Sequence, residues 1–394
     1  MTSPSHLIPV ARPRLPPASA ILPYLRQIDA NAWYSNHGPL AQLFQQRLAE
    51  HWGVAATEVA QVSRATAGLT LALQASGARA GSRCLMPSWT FVASAGAVVA
   101  AGLVPHFVDV RAGTWSPDPA EIRRLAALHD VGAVLVVAPF GAPIDMMEWT
   151  RLQRDTGLPV IVDAAAGFDT LRACGPMAVQ ECPVAVSLHA TKVFGIGEGG
   201  AVIIRDEAMM KRVRARAQFG FAGSRESQVA GVNAKLSEYA AAVGLAGLDT
   251  WDEARERWDR VTQAYLAMLP DRLGLTPRFG QSWVGSTLTL LWPEDRPVLG
   301  ERLAAQGIAS LSWWGPGCHM QPAYRQFPAE ALPVTSIYAR RAIGLPFWQD
   351  LSETEIASVC RAIGRALPKA ARRSNAGPQA RARPAAELAL GADA

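Results

Sequence analysis

The side chain with the most distinctive chemistry in this chain is a lysine. The 394-residue sequence holds 38 Lys and Arg residues together, and only four are lysines: Lys192, Lys211, Lys235 and Lys369. An arginine stays protonated, whereas a lysine amine can lose its proton and attack a carbonyl carbon to form a Schiff base. Lys192 follows an apolar run that predicts a buried strand, in the stretch SLHATKVFGIGEGG. Lys192 is therefore a candidate covalent residue, although an ordinary loop lysine is an equally reasonable interpretation.

A carboxylate supplies the second candidate. Asp163 ends the apolar run LPVIVD, where an ionised side chain costs free energy unless it has a partner. Enzymes that use pyridoxal phosphate need a lysine on the cofactor's aldehyde and an acid that keeps the ring nitrogen protonated. Asp163 and Lys192 are 29 residues apart, and each lies at or just beyond the end of a predicted strand. This spacing is compatible with one shared pocket, whereas a turn-capping role is the alternative for an isolated aspartate.

The glycines after Lys192 formally match the dinucleotide-binding pattern G-x-G-x-x-G. That pattern requires a helix after the glycines, so that the helix N-terminus meets the pyrophosphate. Here the glycines lead into AVIIRD, which predicts a strand. The dinucleotide interpretation therefore fails, and the glycines instead predict a tight turn in which the backbone approaches a bulky neighbour.

Short apolar runs alternate with helical stretches over most of the chain. Strands are predicted at 83–87, 106–110, 133–138, 160–164, 184–188 and 201–205, and helices at 67–78, 92–101, 119–129, 146–155 and 207–219. Runs that are apolar throughout, separated by helices, predict a mainly parallel sheet covered by helices on both faces. A ligand of such an α/β fold binds beyond the carboxyl ends of the strands.

The C-terminal third has a different pattern. A long helical stretch is predicted from 237 to 269, interrupted at Gly244 and Gly247. A strand at 287–292, a helix at 297–306 and a closing helix at 352–367 follow. We therefore predict four parts: an N-terminal extension (1–20), a large α/β domain with the connecting helix (21–269), a smaller α+β domain (270–367) and a disordered tail (368–394) rich in Ala, Pro and Arg.

Composition excludes several classes of protein. The net charge is +5, and about +3 of it lies in the tail, so no basic nucleic-acid-binding face is expected on the folded part. No apolar run is long enough to cross a bilayer, and no signal peptide is recognised. The five cysteines are scattered without a C-x-x-C pair, so neither a metal site nor disulfides are predicted. We expect a cytoplasmic protein.

At several blocks the sequence resembles the DegT/DnrJ/StrS family of nucleotide-sugar aminotransferases, which use pyridoxal phosphate on an aspartate-aminotransferase-like fold of type I. The resemblance runs from about residue 30 to residue 363. The matching blocks are S-x-H-x-x-K with G-E-G-G at 187–200, D-A-A at 163–165, PSWTFVAS at 87–94, GVNAKLSE at 231–238 and the closing LPVTSIYARRAIGLPFW. The family implies a seven-stranded sheet in the large domain and a homodimer with shared active sites.

The resemblance also implies a role for each matching residue. Lys192 would bond to the cofactor and carry the proton during the reaction, and Asp163 would pair with the pyridine nitrogen. The remaining cofactor contacts would be Trp89 stacked on the ring, Ser187 with Thr66 and Ala67 at the phosphate, and Asn233 reaching the phosphate of the neighbouring subunit. Contacts to the sugar would come from Tyr34, Ser35, Asn36 and His319.

Three positions depart from the family pattern. Arg64-Ala65-Thr66 stands where S/N-G-T is usual, Ala166 replaces a polar residue after D-A-A, and Lys235 stands where arginine is common. The phosphate contacts and one polar contact are therefore expected to differ from those of other members. None of the three changes Lys192.

The function that the resemblance implies is transfer of an amino group from an amino acid, glutamate by resemblance, to a nucleotide-linked keto-6-deoxysugar. The loop WWGPGCH and the segment WYSNHGPL are most similar to members that act at C4 of a dTDP-4-keto-6-deoxyhexose, although C3 chemistry uses the same residues. Two alternatives stay open: a sugar dehydratase or lyase using the same cofactor, and a non-catalytic binding member of the family. Members that dehydrate sugars often replace the lysine, so Lys192 counts against the first.

Overall fold

A computed structural model describes residues 7–175, 181–271 and 273–368. The predicted disordered tail lies outside the described residues from position 369 onward, as does the start of the N-terminal extension.

A seven-stranded sheet forms the centre of the molecule. Its strands are β1 (Val59–Val62), β2 (Arg83–Pro87), β3 (Val104–Val108), β4 (Val131–Val137), β5 (Val160–Asp163), β6 (Val184–Ser187) and β7 (Gly200–Ile203), in the spatial order β1-β7-β6-β5-β4-β2-β3. β7 runs antiparallel to both of its neighbours, β1 and β6, and the other neighbouring pairs in this sheet are parallel. The mainly parallel α/β sheet expected from the sequence is therefore confirmed, and all six predicted strands are present.

Strand β1 was not predicted from the sequence. This strand has only four residues and contains Gln61, so its pattern VAQV does not read as a continuous apolar run. In the fold β1 lies at the sheet edge and pairs with β7, and all four of its residues are buried. The helices that cover this edge bury β1, and a short sequence pattern does not predict such coverage.

Helices cover both faces of the sheet. The helices of this part are α1 (Ala18–Asn31), α2 (Pro39–Trp52), α3 (Ala65–Ala75), α4 (Val92–Ala100), α5 (Pro119–Leu128), α6 (Met146–Thr156), α7 (Phe168–Cys174), α8 (Glu207–Ala217), α9 (Glu238–Asp249) and α10 (Trp251–Met268). One apolar core lies between the sheet and α3, α4 and α8. A larger core packs α2, α5, α6, α7 and α9 on the opposite face and continues toward the C-terminal elements.

The long helical stretch predicted at 237–269 is two helices, and its predicted interruptions are wrong. Gly244 and Gly247 lie inside α9, and the helix breaks instead at Thr250, between α9 and α10. A Cβ on Gly244 would lie 2.4 Å from the ring of Phe44, so this glycine permits close helix packing and does not end the helix. Glycine in a helix thus has two possible meanings, and only the packing distinguishes them.

A small antiparallel sheet lies in the C-terminal part. Its strands are β8 (Gly274–Leu275), β9 (Leu288–Leu291) and β10 (Ala342–Leu345), accompanied by α11 (Arg296–Ala304), α12 (Pro333–Arg341) and α13 (Glu353–Ala366). The predicted strand and the two predicted helices are present, whereas α12 and β10 were not recognised. The N-terminal extension reaches this part, because Ile8 pairs with Ile308 as an isolated bridge.

Among the described residues, no helix combines the length and the apolar character that crossing a membrane requires.

Candidate active site

The carboxyl edge of the large sheet brings the two principal candidates together. Asp163 is the last residue of β5, and β6, which pairs with β5 in parallel, ends at Ser187. Lys192 lies in the connection that follows β6, on the same edge. Their charges interact, since Asp163 raises the pKa of Lys192 and Lys192 lowers that of Asp163. One pocket for both residues, as the spacing suggested, is consistent with this arrangement.

Asp163 is buried and has defined hydrogen-bond partners. Its carboxylate accepts a hydrogen bond from Ser94 Oγ at 2.7 Å and another from the Ala165 N–H at 3.0 Å. Burial raises the pKa of Asp163, and these two hydrogen bonds together with Lys192 oppose the rise. Both oxygens are oriented by the protein, and each keeps a further lone pair for a ligand.

Two hydroxyl groups that orient Asp163 escaped the sequence analysis. Thr90 Oγ1 lies 2.9 Å from Ser94 Oγ. Because the single Ser94 proton goes to Asp163, the Thr90 hydroxyl is the donor between the two. Both residues belong to the block PSWTFVAS, which was noted for Trp89 alone. A buried serine and threonine in that block were the available signal.

Lys192 is half-buried, and its amine has no hydrogen-bond or ion-pair partner among the described residues. Burial lowers the pKa of Lys192, and the opposing effect of Asp163 is smaller. A lowered pKa increases the fraction of neutral amine, which is the nucleophilic form. The Lys192 N–H donates to the His189 carbonyl at 2.9 Å, so the backbone at this position is fixed.

The glycines after Lys192 form the turn of an antiparallel connection between β6 and β7. Ala190 N–H donates to Gly197 O at 2.8 Å and Ile196 N–H donates to Leu188 O at 2.8 Å. A Cβ on Gly195 would lie 2.8 Å from Ala190 O, so the backbone passes too close for any side chain. The predicted tight turn is confirmed, and the bulky neighbour that it approaches is the chain's own backbone.

The start of α3 lies against the strand that pairs with β6. This helix begins at Ala65, and no described side chain caps it, so the N–H groups of its first turn, including those of Thr66 and Ala67, could bind a ligand. A Cβ on Gly200 would lie 2.6 Å from the Ala65 nitrogen, and Gly200 pairs with Ser187 across the sheet. The Ser187 hydroxyl accepts a hydrogen bond from the His189 N–H at 3.3 Å, and its predicted contact with a phosphate stays a prediction.

Trp89 follows β2 but presents almost no open surface. It is 1% exposed, and the edges of Trp314 and Tyr338 meet it at centroid distances of 5.3 and 5.8 Å. Trp314 also stacks on Phe140 at 4.0 Å. Stacking of Trp89 on a cofactor therefore requires a small displacement within this aromatic cluster, and it stays a prediction.

The loop that carries His319 packs on the residue before Trp89. His319 Nδ1 lies 2.7 Å from Ser88 Oγ, and the Cys318 N–H donates to the Ser88 carbonyl at 2.9 Å. Burial lowers the pKa of His319, which Asp109 partly opposes. His319 is thus positioned from the same segment as Trp89.

The other predicted residues lie apart from this cluster within one chain. Tyr34, Ser35 and Asn36 are exposed, and Tyr34 stacks on Tyr239 at 6.3 Å. Asn233 is also exposed, and its Oδ1 accepts a hydrogen bond from Lys235 Nζ at 2.6 Å. None of these has a hydrogen bond or ring contact with Asp163 or Lys192 in the described part of the chain.

A separate polar cluster lies at the edge strand β3. His106, His129 and Glu330 place possible metal-ligating atoms within 4.8 Å of one another. However, His106 Nε2 already lies 2.8 Å from Glu330 Oε1, and Arg83 lies 3.3 Å from His106 Nδ1. Arg124 lies 3.8 Å from Glu330. Two guanidinium groups next to these atoms disfavour a cation, so we describe the cluster as a hydrogen-bond network.

The donor set at the sheet edge fits pyridoxal phosphate. Among the described residues it offers an amine without a partner in Lys192, an oriented carboxylate in Asp163, and an uncapped helix N-terminus together with the Ser187 hydroxyl for a phosphate. These groups correspond to the aldehyde, the ring nitrogen and the phosphate of that cofactor. Fold and site together define the class of pyridoxal-phosphate-dependent aminotransferases with a type I fold.

Comparison with known proteins identifies the family. The profile of the DegT/DnrJ/EryC1/StrS aminotransferase family matches residues 18–364, and the chain belongs to this family. The resemblance inferred from the sequence blocks is therefore confirmed.

Three relatives illustrate the similarity. Protein Rv3402c of Mycobacterium tuberculosis is 30% identical over 90% of this chain and 89% of its own length. The dTDP-4-amino-4,6-dideoxy-D-glucose transaminase of Escherichia coli is 27% identical over 90% of this chain and 98% of its own length. The crystal structure of DesI, determined in the presence of its TDP-sugar product, is 29% identical, covers 94% of this chain and 97% of its own, and superposes with a TM-score of 0.82.

Proposed function

We propose that this protein transfers the amino group of glutamate to a nucleotide-linked keto-6-deoxysugar, at C4 of a dTDP-4-keto-6-deoxyhexose. The observation that supports the proposal is that the Lys192 amine, which has no hydrogen-bond or ion-pair partner among the described residues, and the oriented Asp163 carboxylate lie at the same sheet edge. Two relatives that act on or bind dTDP-linked or TDP-linked sugars support the choice of acceptor. Lys192 also argues against the dehydratase and non-catalytic alternatives, because neither needs a covalent lysine.

Pyridoxal phosphate, when bound, supplies an aldehyde for amine exchange and a ring that accepts the electron pair of the donor's Cα–H bond. Lys192 Nζ, which burial favours in its neutral form, is the amine that would hold the aldehyde, and the same amine would accept and return a proton. Asp163, fixed by Ser94 and Ala165, would keep the ring nitrogen protonated. The first turn of α3 and Ser187 would hold the phosphate.

The reaction requires two half-reactions at one site: the amino acid gives up its amino group and leaves as the corresponding 2-oxo acid before the keto-sugar enters. His319 and the segment 34–36 would contact the sugar, by resemblance to the family. His319 is well placed for this role because Ser88 and the Cys318 backbone hold its loop beside Trp89.

We also propose a homodimer whose active sites combine residues of both subunits. The segments that carry Tyr34 and Asn233 have large apolar side chains facing solvent: Tyr34 is 49% exposed, Phe219 45%, Val232 54% and Tyr239 49%. Such clustered apolar exposure is typical of a surface that a partner covers. In this arrangement Asn233 of one subunit would contact the phosphate bound by the other.

The test is Lys192→Arg, with Lys211→Arg as its control. Both substitutions keep the charge, and Lys211 is an exposed residue that pairs with Glu207 on the surface of α8. Borohydride reduction followed by mass spectrometry should trap the cofactor on the wild-type protein and on Lys211→Arg, but not on Lys192→Arg. Turnover with glutamate and the keto-sugar should fall on the order of 10²-fold or more in Lys192→Arg, because its proton carrier is lost.

Three outcomes would contradict the proposal at different levels. A trapped adduct on Lys192→Arg would show that another amine is the covalent residue. A wild-type protein that gains no visible absorbance on addition of pyridoxal phosphate would refute the cofactor assignment. The acceptor assignment would be refuted if the protein accepts the amino group of glutamate but aminates no 4-keto or 3-keto dTDP-sugar. Mass spectrometry of the product would monitor the amination.

A further inference from the structure

One buried residue contacts both ends of the turn that precedes α2, through its carboxylate at one end and its backbone N–H at the other. Glu238, the first residue of α9, is 1% exposed. Its Oε2 accepts a hydrogen bond from the Leu40 N–H and its Oε1 one from the Ala41 N–H, each at 2.8 Å. Its own N–H donates to the Tyr34 carbonyl at 3.1 Å. A single residue therefore contacts this segment before and after its turn.

These contacts complete the start of α2. The helix begins with Pro39, which has no N–H, and the residue before it, Gly38, has no side chain that could cap the helix. Leu40 and Ala41 consequently carry the free donors of the first turn, and Glu238 satisfies both. Its negative charge is also favourable at the positive end of a helix dipole.

The turn between the two contact points has an unfavourable backbone conformation. Asn36 and His37 are consecutive non-glycine residues with φ of 61° and 57°. Residues in this left-handed region cost free energy and persist only where the surroundings determine them. Further hydrogen bonds come from Trp33 Nε1 to the Ser35 carbonyl at 2.5 Å and from Gln42 Nε2 to the His37 carbonyl at 2.7 Å.

The packing leaves no freedom at the end of the turn. A Cβ on Gly38 would lie 2.8 Å from Glu238 Cδ and 2.9 Å from Trp33 Cδ1. Tyr239, next to Glu238, stacks on Tyr34 at 6.3 Å. The 33–39 turn and the N-terminus of α9 are therefore packed as one unit, in which the block 231–238 with Asn233 is directly continuous with α9.

We propose that Glu238 is a positioning residue for acceptor binding: it fixes the 33–39 turn, and with it Tyr34 and Asn36, in the conformation that covers the sugar. The assignment of the sugar to this turn rests on the proposed function. That Glu238 fixes the turn does not rest on the proposed function, because it follows from the hydrogen bonds alone.

The experiment compares wild-type holoenzyme with Glu238→Gln and with Glu253→Gln, an exposed glutamate near the start of α10. Hydrogen exchange is measured on the amides of Leu40 and Ala41. In Glu238→Gln one of the two acceptors becomes an NH₂ group that faces an N–H, so exchange at these amides should accelerate about ten- to hundred-fold. Exchange in Glu253→Gln should match the wild type.

Kinetics provide the second readout. Glu238→Gln should raise KM for the keto-sugar about ten-fold, with kcat and the half-reaction with glutamate changed much less, because the reacting atoms keep their own contacts. A purely structural role would lower the fraction of active protein, and with it kcat for both half-reactions, without a selective rise in KM for the keto-sugar.

The two proposals fail in distinguishable ways. If the wild type aminates no sugar, the proposed function fails, while exchange at Leu40 and Ala41 still tests the hold on the turn. If Glu238→Gln leaves exchange unchanged, or accelerates it without raising KM for a sugar that the wild type uses, the positioning role is refuted. Should Glu238→Gln not fold, Gly38→Ala displaces the same contact and should give the same two changes; wild-type behaviour of that variant would also refute the role.

Discussion

At the scale of single residues, Asp163 and Lys192 have environments that oppose their charged forms. Burial raises the pKa of Asp163 and lowers that of Lys192, and each is only partly compensated by the other. Asp169, by contrast, is buried with a charged partner: it accepts hydrogen bonds from Arg255 Nε at 2.9 Å and from the Val284 N–H at 2.9 Å. The contrast between the two aspartates supports the proposed role of Asp163 in a reactive site.

This contrast predicts that replacing aspartate by asparagine has opposite effects on protein stability at positions 163 and 169. The folded chain binds the Asp163 proton more tightly than the unfolded chain, so ionisation lowers the free energy of unfolding as the pH rises above the ordinary value of 3.8. In the cofactor-free protein, Asp163→Asn should therefore raise the urea midpoint at neutral pH, with the difference vanishing toward acid pH. Amino transfer should fall on the order of 10²-fold, because the ring nitrogen loses its charged partner.

Asp169→Asn is the matched control. It removes half of a buried ion pair, so we expect it to destabilise the protein by about 1–3 kcal/mol. Equal destabilisation by both substitutions would show that Asp163 is an ordinary structural aspartate.

At the scale of elements, the connection between β6 and β7 determines where Lys192 lies. Its hydrogen bonds pair Ala190 with Gly197 and Leu188 with Ile196, and it turns within a few residues. Gly195 is required there by contact, whereas Gly197 is required by conformation, with φ of 94° and open space where a Cβ would be. Glycine is thus required at these two positions of one turn for different physical reasons.

Alanine substitution at each glycine separates these reasons. In Gly195→Ala the new Cβ would lie 2.8 Å from Ala190 O, so the backbone that carries Lys192 must shift. We expect a loss of stability of about 1–3 kcal/mol and at least a roughly ten-fold weaker affinity for pyridoxal phosphate, measured by absorbance titration. Gly197→Ala should cost about 1 kcal/mol through its backbone conformation alone and leave the affinity unchanged. The same affinity loss in both variants would contradict the contact argument.

At the scale of the whole molecule, one chain holds only part of the predicted site. Asp163, Lys192, Ser187 and the start of α3 are assembled by the central sheet, whereas Asn233 is exposed and bonded to Lys235. The apolar side chains exposed around Asn233 are what a subunit interface would cover. Completion of the site by a second copy is the arrangement that we propose.

Mixing two inactive variants tests this arrangement. If Asn233 serves the site of the other subunit, a heterodimer of Lys192→Arg and Asn233→Ala contains one site with both native residues. After subunit exchange, activity should recover to about a quarter of the wild-type value, since half the dimers are mixed and each has one intact site. Each variant incubated alone should stay inactive. An exchanged mixture that regains no activity would place Asn233 and Lys192 in the same subunit's site, or Asn233 outside it.

Much of this could be predicted from local pattern. The six strand runs and most of the helices follow from apolar periodicity, and Lys192 and Asp163 follow from residue type at strand ends. The break at Thr250, by contrast, could not be placed, because Gly244 and Gly247 look like helix breakers until Phe44 and Phe194 are seen against them. The hydroxyls of Thr90 and Ser94 were also missed, because only the folded chain brings them to Asp163.

The sequence by itself determined the class of the protein, because Lys192 and Asp163 occur within several blocks that together resemble one family, whereas each residue alone left a structural interpretation open. Only the tertiary structure decided which distant groups form hydrogen bonds with a given segment. Glu238 is 198 residues from Leu40 in the chain, and its carboxylate completes a helix that its own local sequence leaves uncapped. The physical reason is that the chemistry of a side chain is fixed by its residue type, whereas its hydrogen-bond partners depend on long-range packing, which a short sequence pattern does not predict.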